Sequence, residues 1–94
     1  MNVITILKIL ASDRRLKLIR ILDRTNQTAI ELYRKFNSEY GAIGHRETVY
    51  RDLEMLRDVG IVTKNYDRKA KKLYYNLSAE QIAINLKTLQ VKLG

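Results

Sequence analysis

The stretch RETVYRDLEMLRDVGIV, residues 46–62, decides the fold because it predicts where a helix starts, which face it buries and where it stops. At about 100° per residue, its apolar side chains fall on one stripe and its charged side chains fall mainly on the opposite side. The stripe consists of Val49, Leu53 and Leu56. Gly60 predicts the stop, since glycine readily takes the left-handed conformation that ends many helices. We therefore predict an amphipathic helix over residues 46–58, with one face toward a core and the other free.

Downstream of this helix, residues 61–66 and 73–77 have the β-branched and aromatic composition of strands. Between them lies DRKAKK, residues 67–72, in which four of the six residues are basic. The pattern predicts a β-hairpin with a charged tip. Cations at such a tip bury nothing and repel one another, so they favour binding of an external anion. A solvated, flexible loop is the alternative.

Upstream, three further helices are predicted. Residues 2–11 are apolar around most of the helix circumference, and such a helix needs cover on two sides. Ser12 or Asp13 is a suitable cap for the second helix. Thr28 with Glu31 forms a capping box that opens the third helix.

The C-terminal segment predicts a final helix over residues 79–93, opened by a capping box of Ser78 and Gln81. Its apolar residues are spaced four, three and four apart, which is a seam of roughly two heptads and too short to stand alone. Packing of this seam against the first helix and a second copy predicts a homodimer interface. That interface would contain Ile4, Leu7, Ile82, Leu86, Leu89 and Leu93. The alternative is a helix that folds back onto its own domain.

The totals restrict the class of protein. Ninety-four residues predict a single domain, 1–94. A net charge of +8 and a pI near 9.9 indicate an acidic partner, of which nucleic acid is the commonest, although an anionic membrane fits the charge alone. The apolar start is interrupted by Lys8 and is too short to span a bilayer, so we expect a buried helix and no membrane partner.

The inventory of reactive side chains argues against an enzyme. The chain has no cysteine and a single histidine, His45. It therefore has no cysteine nucleophile, no disulfide and no thiolate metal site, and it shows no glycine-rich phosphate loop. We expect a protein that binds rather than catalyses, with no cofactor.

The order of elements predicts the fold class, mainly α with a small β-hairpin, in the order α-α-α-α-β-β-α. Helices joined by a turn and followed by a basic hairpin are typical of a winged helix-turn-helix. In this motif the last helix before the hairpin enters the major groove and the hairpin, or wing, lies beside the DNA backbone. Guanidinium groups can bind guanine O6 and N7 bidentately, while lysine ammonium groups bind phosphates as point charges.

The sequence also resembles two known families. LASDRRLKLIRIL (10–22), the quoted helix and KKLYYNLS (71–78) resemble ArsR-type repressors. ELYRKFNSEYGAIGHRETVYRDLEML (31–56) resembles the DNA-binding half of ferric-uptake regulators, including the longer turn before TVYR. The resemblance implies base contacts from the first turns of the recognition helix (46–58) and phosphate contacts from a basic wing (64–72). The implied DNA-binding residues are His45, Arg46, Glu47, Thr48, Tyr50, Arg51, Lys64, Arg68, Lys69, Lys71 and Lys72.

Three of these residues fit more than one role. Glu47 suits either a hydrogen bond from cytosine N4 or a favourable interaction with the helix N-terminus. Tyr50 suits either a phosphate contact or packing beside the wing. His45 suits a helix cap or a phosphate contact.

The sequence departs from both families in its metal ligands. ArsR-type sensors hold metal through cysteines or clusters of histidine and acidic residues, and ferric-uptake regulators use several histidines. Because this chain lacks those sets, we predict that it binds no metal.

These expectations combine into one function. We expect a cytoplasmic, nucleoid-associated homodimer that binds specific sites in double-stranded DNA as a transcriptional regulator. A sequence-tolerant architectural protein is the first alternative, and a protein-interaction module that no longer binds DNA is the second.

Overall fold

The computed structural model describes residues 2–41 and 44–94, with four helices followed by two β-hairpins. The helices are α1 (Val3–Leu10), α2 (Asp13–Arg24), α3 (Ala29–Tyr40) and α4 (Arg46–Asp58). The strands are β1 (Val62–Asp67), β2 (Lys72–Leu77), β3 (Ile82–Asn85) and β4 (Gln90–Leu93). Part of the longer turn before TVYR, residues 42–43, lies outside the described residues. The winged-helix fold class is confirmed.

Helices α2 and α3 start at the predicted caps. The Ser12 hydroxyl accepts from the backbone N–H of Arg15 at 3.3 Å. In the capping box, Thr28 N–H donates to Glu31 Oε1 at 2.9 Å and Glu31 N–H donates to Thr28 Oγ1 at 3.2 Å. The backbone hydrogen bond from Thr28 lowers the pKa of Glu31. These bonds satisfy N–H groups that a helix start leaves without partners.

The predicted stop of α4 is also confirmed. Gly60 has a φ of +82°, in the left-handed region. Its N–H donates to Arg57 O and the N–H of Ile61 donates to Leu56 O, both at 3.0 Å. This pair of bonds is a Schellman motif, which ends the helix and directs the chain into β1.

The core lies between the helices and the start of β1. The largest fully buried side chains are Ile6, Leu18, Ile21, Leu32, Val49, Leu53, Leu56 and Val62. The predicted inward stripe of α4 is therefore confirmed. It fixes α4 against α2 and α3 by burial of apolar surface, the main stabilising contribution in a domain of this size.

The predicted wing is confirmed, with strand ends that differ by one residue. β1 and β2 pair antiparallel, with Val62 opposite Leu77 and Asp67 opposite Lys72. One connection was not predicted: Gln27 N–H donates to Tyr75 O at 3.2 Å, and Tyr75 N–H donates to Gln27 O at 2.7 Å. This bridge joins the wing to the turn between α2 and α3.

The prediction of a helix over residues 79–93 is wrong, and with it the final α of the predicted order. β3 and β4 form a second antiparallel hairpin, with Ile82 opposite Leu93 and Asn85 opposite Gln90. The Ser78 hydroxyl donates to Gly60 O at 2.9 Å and caps no helix. Asn85 instead closes a turn, because its side chain accepts from backbone N–H groups that follow it.

The helical seam consequently does not exist, and its residues separate. Ile82 and Leu93 pack against the domain's own core. Leu86 and Leu89 lie in the turn, with 82% and 57% of their surface exposed.

Helix α1 is covered on one side. Ile6 is buried, whereas Ile4 and Leu7 are 59% and 51% exposed. Among the described residues, no helix has the length and apolar character needed to cross a bilayer.

Candidate nucleic-acid interface

The first turns of α4 form an open face. His45 is the N-cap residue, but its side chain makes no capping hydrogen bond. Arg46, Glu47 and Arg51 are exposed and Thr48 is partly buried. Glu47 lies in the first turn, where its charge favours the helix N-terminus. The structure thus places the predicted base-reading residues in the first two turns of α4, where all of them except Thr48 are exposed.

The wing tip forms a second open face. Asp67 Oδ1 accepts from the N–H groups of Lys69 and Ala70, at 2.9 and 3.1 Å, and this closes the turn. Lys71 has a φ of +53°. The four predicted cations of the tip are all exposed. They are Arg68, Lys69, Lys71 and Lys72.

Tyr50 lies between these two faces. It lines a groove of about 470 Å³ together with Arg34 of α3 and Lys72 and Leu73 of β2. Its side chain is 45% exposed. The structure thus places Tyr50 beside the wing and leaves much of its surface open to solvent.

Lys64 differs from the other predicted cations. Its ammonium group lies 3.4 Å from Glu54 Oε2 and 5.8 Å from the centre of the Tyr75 ring. It is directed at α4 and holds the wing against that helix. The structure gives Lys64 a partner inside the domain.

Glu54 is the acceptor that ties the wing to α4. Tyr75 Oη donates to Glu54 Oε2 at 2.9 Å, and Arg57 Nη2 lies 3.1 Å from Glu54 Oε1. Burial opposes ionisation of Glu54, but these hydrogen bonds and the charge of Lys64 outweigh it, so the pKa of Glu54 is lowered. Burial and the bond to Glu54 raise the pKa of Tyr75 to about 12. The Glu54 side chain is 39% exposed, so these contacts lie at the edge of the domain.

Sequence reasoning missed a buried carboxylate on the other side of α4. The Asp52 side chain is only 3% exposed. Arg14 Nη2 and Arg15 Nη1 both donate to Asp52 Oδ1 at 3.1 Å, and Arg14 Nε donates to Oδ2. The bond to Asp52 raises the pKa of Arg14. Arg15 also donates to Ile9 O at 2.6 Å, which ties the end of α1 to the same cluster.

The sequence does contain a signal for this cluster. Asp52 lies three residues after Val49 and four before Leu56, so helical spacing places it beside the buried stripe. A carboxylate in that position needs a cation, and the adjacent pair Arg14 and Arg15 supplies it.

The described residues contain no group of three or more histidine, cysteine, aspartate or glutamate side chains that could hold a metal ion. The chain has one histidine and no cysteine. The residues present here do not fit a metal site, and metal-free binding stays a prediction.

The fold and this face together define a winged-helix transcriptional regulator. The family model described as "Ferric uptake regulator family" matches residues 7–89, and the chain belongs to that family. A search of curated proteins finds no match.

The solved structures that are similar to this chain include the following three. The transcriptional regulator HlyU from Vibrio vulnificus CMCP6 has a TM-score of 0.63 and 27% identity, covering 82% of this chain and 72% of that chain. The Vibrio cholerae ferric uptake regulator has a TM-score of 0.62 and 28% identity, covering 89% of this chain and 67% of that one. A possible transcriptional regulator for arsenical resistance, with 24% identity and a TM-score of 0.63 over 83% and 70% of the two chains, shows the fold alone. These neighbours are regulators and not enzymes.

Proposed function

We propose that this chain is a homodimeric regulator that binds specific sites in double-stranded DNA. The first turns of α4 enter the major groove and the wing lies on the sugar-phosphate backbone. The family supports the regulatory role, and the geometry of α4 and the wing supports the way in which DNA is bound. This function places the protein on the nucleoid, in the cytoplasm.

The observation that carries the proposal is a division among the cations. Four cations on or beside α4 have anionic partners: Arg14 and Arg15 pair with Asp52, and Arg57 and Lys64 pair with Glu54. The side chains of the outer-face cations form no ion pair or hydrogen bond with another described residue. They are Arg46, Arg51, Arg68, Lys69, Lys71 and Lys72. A cluster of like charges is repulsive until phosphates neutralise it, so DNA is its natural partner.

The two open faces suit different parts of DNA. Arg51 projects from the free side of α4 and has the donor geometry for the O6 and N7 atoms of a guanine. The wing lysines carry point charges on flexible stems, which suit phosphates in any sequence. Tyr50 lies beside the wing, which supports a contact of its hydroxyl with a phosphate between the two faces.

The exposed leucines and isoleucine at the opposite ends of the chain support the homodimer. Ile4, Leu7, Leu86 and Leu89 each expose more than half of their surface. Leu10 and Ile82 line one cavity of about 200 Å³, so α1 and the second hairpin are neighbours. A dimer through this side predicts an inverted-repeat site with half-sites about 34 Å apart.

Selection from a random duplex library tests the function. The enriched duplex and a scrambled duplex are then titrated at several salt concentrations. We expect an inverted repeat preferred by about 10³-fold or more. With about four phosphates neutralised per subunit, the log–log salt slope of the dimer should be near −7. Equal, salt-dependent binding of both duplexes would support the architectural alternative, and no salt-dependent binding would support the interaction module.

Arg51→Ala tests the base-reading face. We expect discrimination at one base pair of the site to fall by about 1–3 kcal/mol, because one bidentate contact is lost. Affinity for each single-base variant of the site measures this. Arg20→Ala is the matched control, since Arg20 is exposed on α2 and has no partner among the described residues. A uniform loss over all variants in Arg51→Ala, with little change in Arg20→Ala, would assign Arg51 to the backbone.

A further inference from the structure

The recognition helix is held by carboxylates on two opposite flanks. Asp52 and Glu54 are two residues apart, so their side chains leave the helix about 160° apart around its axis. Asp52 is bound to α2 through Arg14 and Arg15, and Glu54 is bound to the wing through Tyr75 and Lys64. Arg51 leaves the helix between these two flanks. The apolar stripe that docks α4 on the core is not directional, whereas these hydrogen bonds are.

We propose that Asp52 and Glu54 are positioning residues that fix the rotation of α4 about its axis, so that base discrimination depends on them and general affinity for DNA does not. This inference rests on the proposed function. A rotation of about 20° would move an atom about 6 Å from the helix axis by about 2 Å. A bidentate contact with a base tolerates much less, because hydrogen bonds weaken steeply with misalignment. Phosphate contacts through long lysine side chains tolerate such a shift.

Stability alone does not account for the Asp52 cluster. Burying the ionised Asp52 and most of Arg15 costs desolvation energy that their mutual attraction does little more than offset, and apolar residues of similar volume often serve as well. The cluster adds directional hydrogen bonds that constrain the orientation of α4. Arg15 extends this constraint to α1, because it also donates to Ile9 O at 2.6 Å and Lys8 O at 3.3 Å.

Asp52→Asn separates positioning from electrostatics. The substitution nearly keeps the shape of the side chain and raises the net charge from +8 to +9. Long-range attraction to DNA therefore becomes stronger, and weaker binding cannot be an electrostatic effect. We expect affinity for the selected duplex to fall about tenfold or more, while affinity for the scrambled duplex is kept or rises.

Asp58→Asn is the matched control. Asp58 lies on the same helix, is exposed and has no partner among the described residues. The same change of charge there should raise both affinities by a similar, small factor. The ratio of the two affinities in each variant is the decisive readout, because a merely structural role would not change it in folded protein.

Tyr75→Phe tests the second flank without any change of charge. It removes the hydroxyl that donates to Glu54 and leaves the ring in place, so the variant should fold. We expect a severalfold fall in the affinity ratio. If Asp52→Asn does not give a folded circular dichroism spectrum, the result for Tyr75→Phe decides.

The outcomes separate the inference from the function. If the wild-type protein binds both duplexes equally, site-specific binding fails and this inference fails with it. If the wild-type protein discriminates and the folded variants discriminate equally well, positioning by these carboxylates is overturned and the proposed function stands. A lowered ratio in Asp52→Asn or Tyr75→Phe, with Asp58→Asn unchanged, supports the inference.

Discussion

The two hairpins of this chain have the same type of turn but expose side chains of different chemistry. Each has a four-residue loop, 68–71 in the wing and 86–89 in the second hairpin. The residue before each loop, Asp67 or Asn85, accepts through Oδ1 from the N–H groups two and three positions later, at 2.9 and 3.1 Å in both cases. The fourth loop residue has a positive φ in both, +53° at Lys71 and +58° at Leu89. The backbone of the turn is thus set by one side chain before the loop.

The loops themselves differ in chemistry. The wing carries RKAK and the second hairpin carries LKTL at equivalent positions. The same turn forms with either set, although Thr88 Oγ1 also accepts from Gln90 N–H at 3.3 Å. The other loop side chains are therefore free to meet something outside the domain. The wing offers cations to an anion. The second hairpin offers leucines, which suit an apolar protein surface.

The hairpins are also attached to the domain in different ways. The wing is held by the backbone bridge to Gln27 and by the hydrogen bond from Tyr75 to Glu54. The second hairpin packs on the core through Ile82, Val91 and Leu93. Within the described residues, no side-chain hydrogen bond joins β3 or β4 to a helix. Hydrogen bonds are directional, so they fix the orientation of the wing relative to the domain. Apolar packing is not directional and mainly holds the second hairpin in contact with the core.

Gly60→Ala should have the largest effect on stability, at the point where the two hairpins meet. Gly60 has a φ of +82°, and an added Cβ would lie 2.9 Å from Leu93 Cδ1. A left-handed alanine costs roughly 1–2 kcal/mol, and the contact with Leu93 adds to this. We expect the free energy of unfolding, measured by urea denaturation, to fall by about 2 kcal/mol.

Two controls divide that effect. Gly44→Ala adds a Cβ into open space, and its effect should be close to zero. In a Leu93→Ala background, Gly60→Ala should cost less, because the contact is gone and only the backbone strain remains. An equal cost in both backgrounds would mean that Leu93 moves aside freely and that the second hairpin is loosely attached.

Tyr75→Phe should lower the free energy of unfolding by about 1.5 kcal/mol, since one hydrogen bond to a charged group is lost. The effect depends on pH. The folded pKa of Tyr75 is about 12, above the usual value of 10.0, so the hydroxyl contributes fully below pH 10 and its contribution is lost as pH rises through 12. Unfolding of wild type and variant at pH 8 and 11.5 measures this. The difference in free energy of unfolding between wild type and Tyr75→Phe should be smaller at pH 11.5 than at pH 8. Tyr66→Phe, at an exposed position of β1, should show no difference at either pH.

Lys69→Ala and Lys87→Ala compare the loops at equivalent positions. Loss of Lys69 should weaken binding to every duplex severalfold and make the log–log salt slope shallower by about 0.9 per subunit. Loss of Lys87 should change neither. Titrations at three salt concentrations decide this, and an equal effect of the two substitutions would show that DNA meets both hairpins.

The wing could be predicted from the sequence, whereas the second hairpin could not, and the difference has a physical reason. DRKAKK, between two β-branched or aromatic segments, excludes a buried helix. In the second segment Ile82, Leu86, Leu89 and Leu93 fit a helical seam, while Ile82, Ile84, Val91 and Leu93 fit two alternating strands. The sequence therefore fits both a helix and a hairpin. The hairpin forms because its strands cover the core beside Gly60 and Leu10, a tertiary contact that the local pattern does not specify. The Asx turn at Asn85 was the local signal that favoured strands.

The candidate site was predictable where its residues face outward and not where they hold the helix. The open faces of α4 and the wing follow from the positions of Arg46, Arg51 and DRKAKK. Helical spacing gives the direction in which Glu54 leaves α4 but not what lies there, and the sequence separates it from Tyr75 by 21 positions. Asp52 and Arg14 are 38 positions apart. Contacts of this kind depend on how α2 and the wing pack, which local pattern does not specify.

Replacing Lys71 or Leu89 by asparagine compares the two loops at their positions of positive φ, and we expect the smallest change in stability here. Asparagine adopts the left-handed conformation more readily than lysine or leucine, so each substitution should raise the free energy of unfolding by about 0.5 kcal/mol. If lysine and leucine stand at these two positions because they bind a partner outside the domain, each substitution that stabilises the fold should weaken that binding. Lys71→Asn should weaken binding of all duplexes, and Leu89→Asn should weaken self-association in sedimentation equilibrium. Unchanged self-association of a stabilised Leu89→Asn protein would remove the second hairpin from the dimer interface.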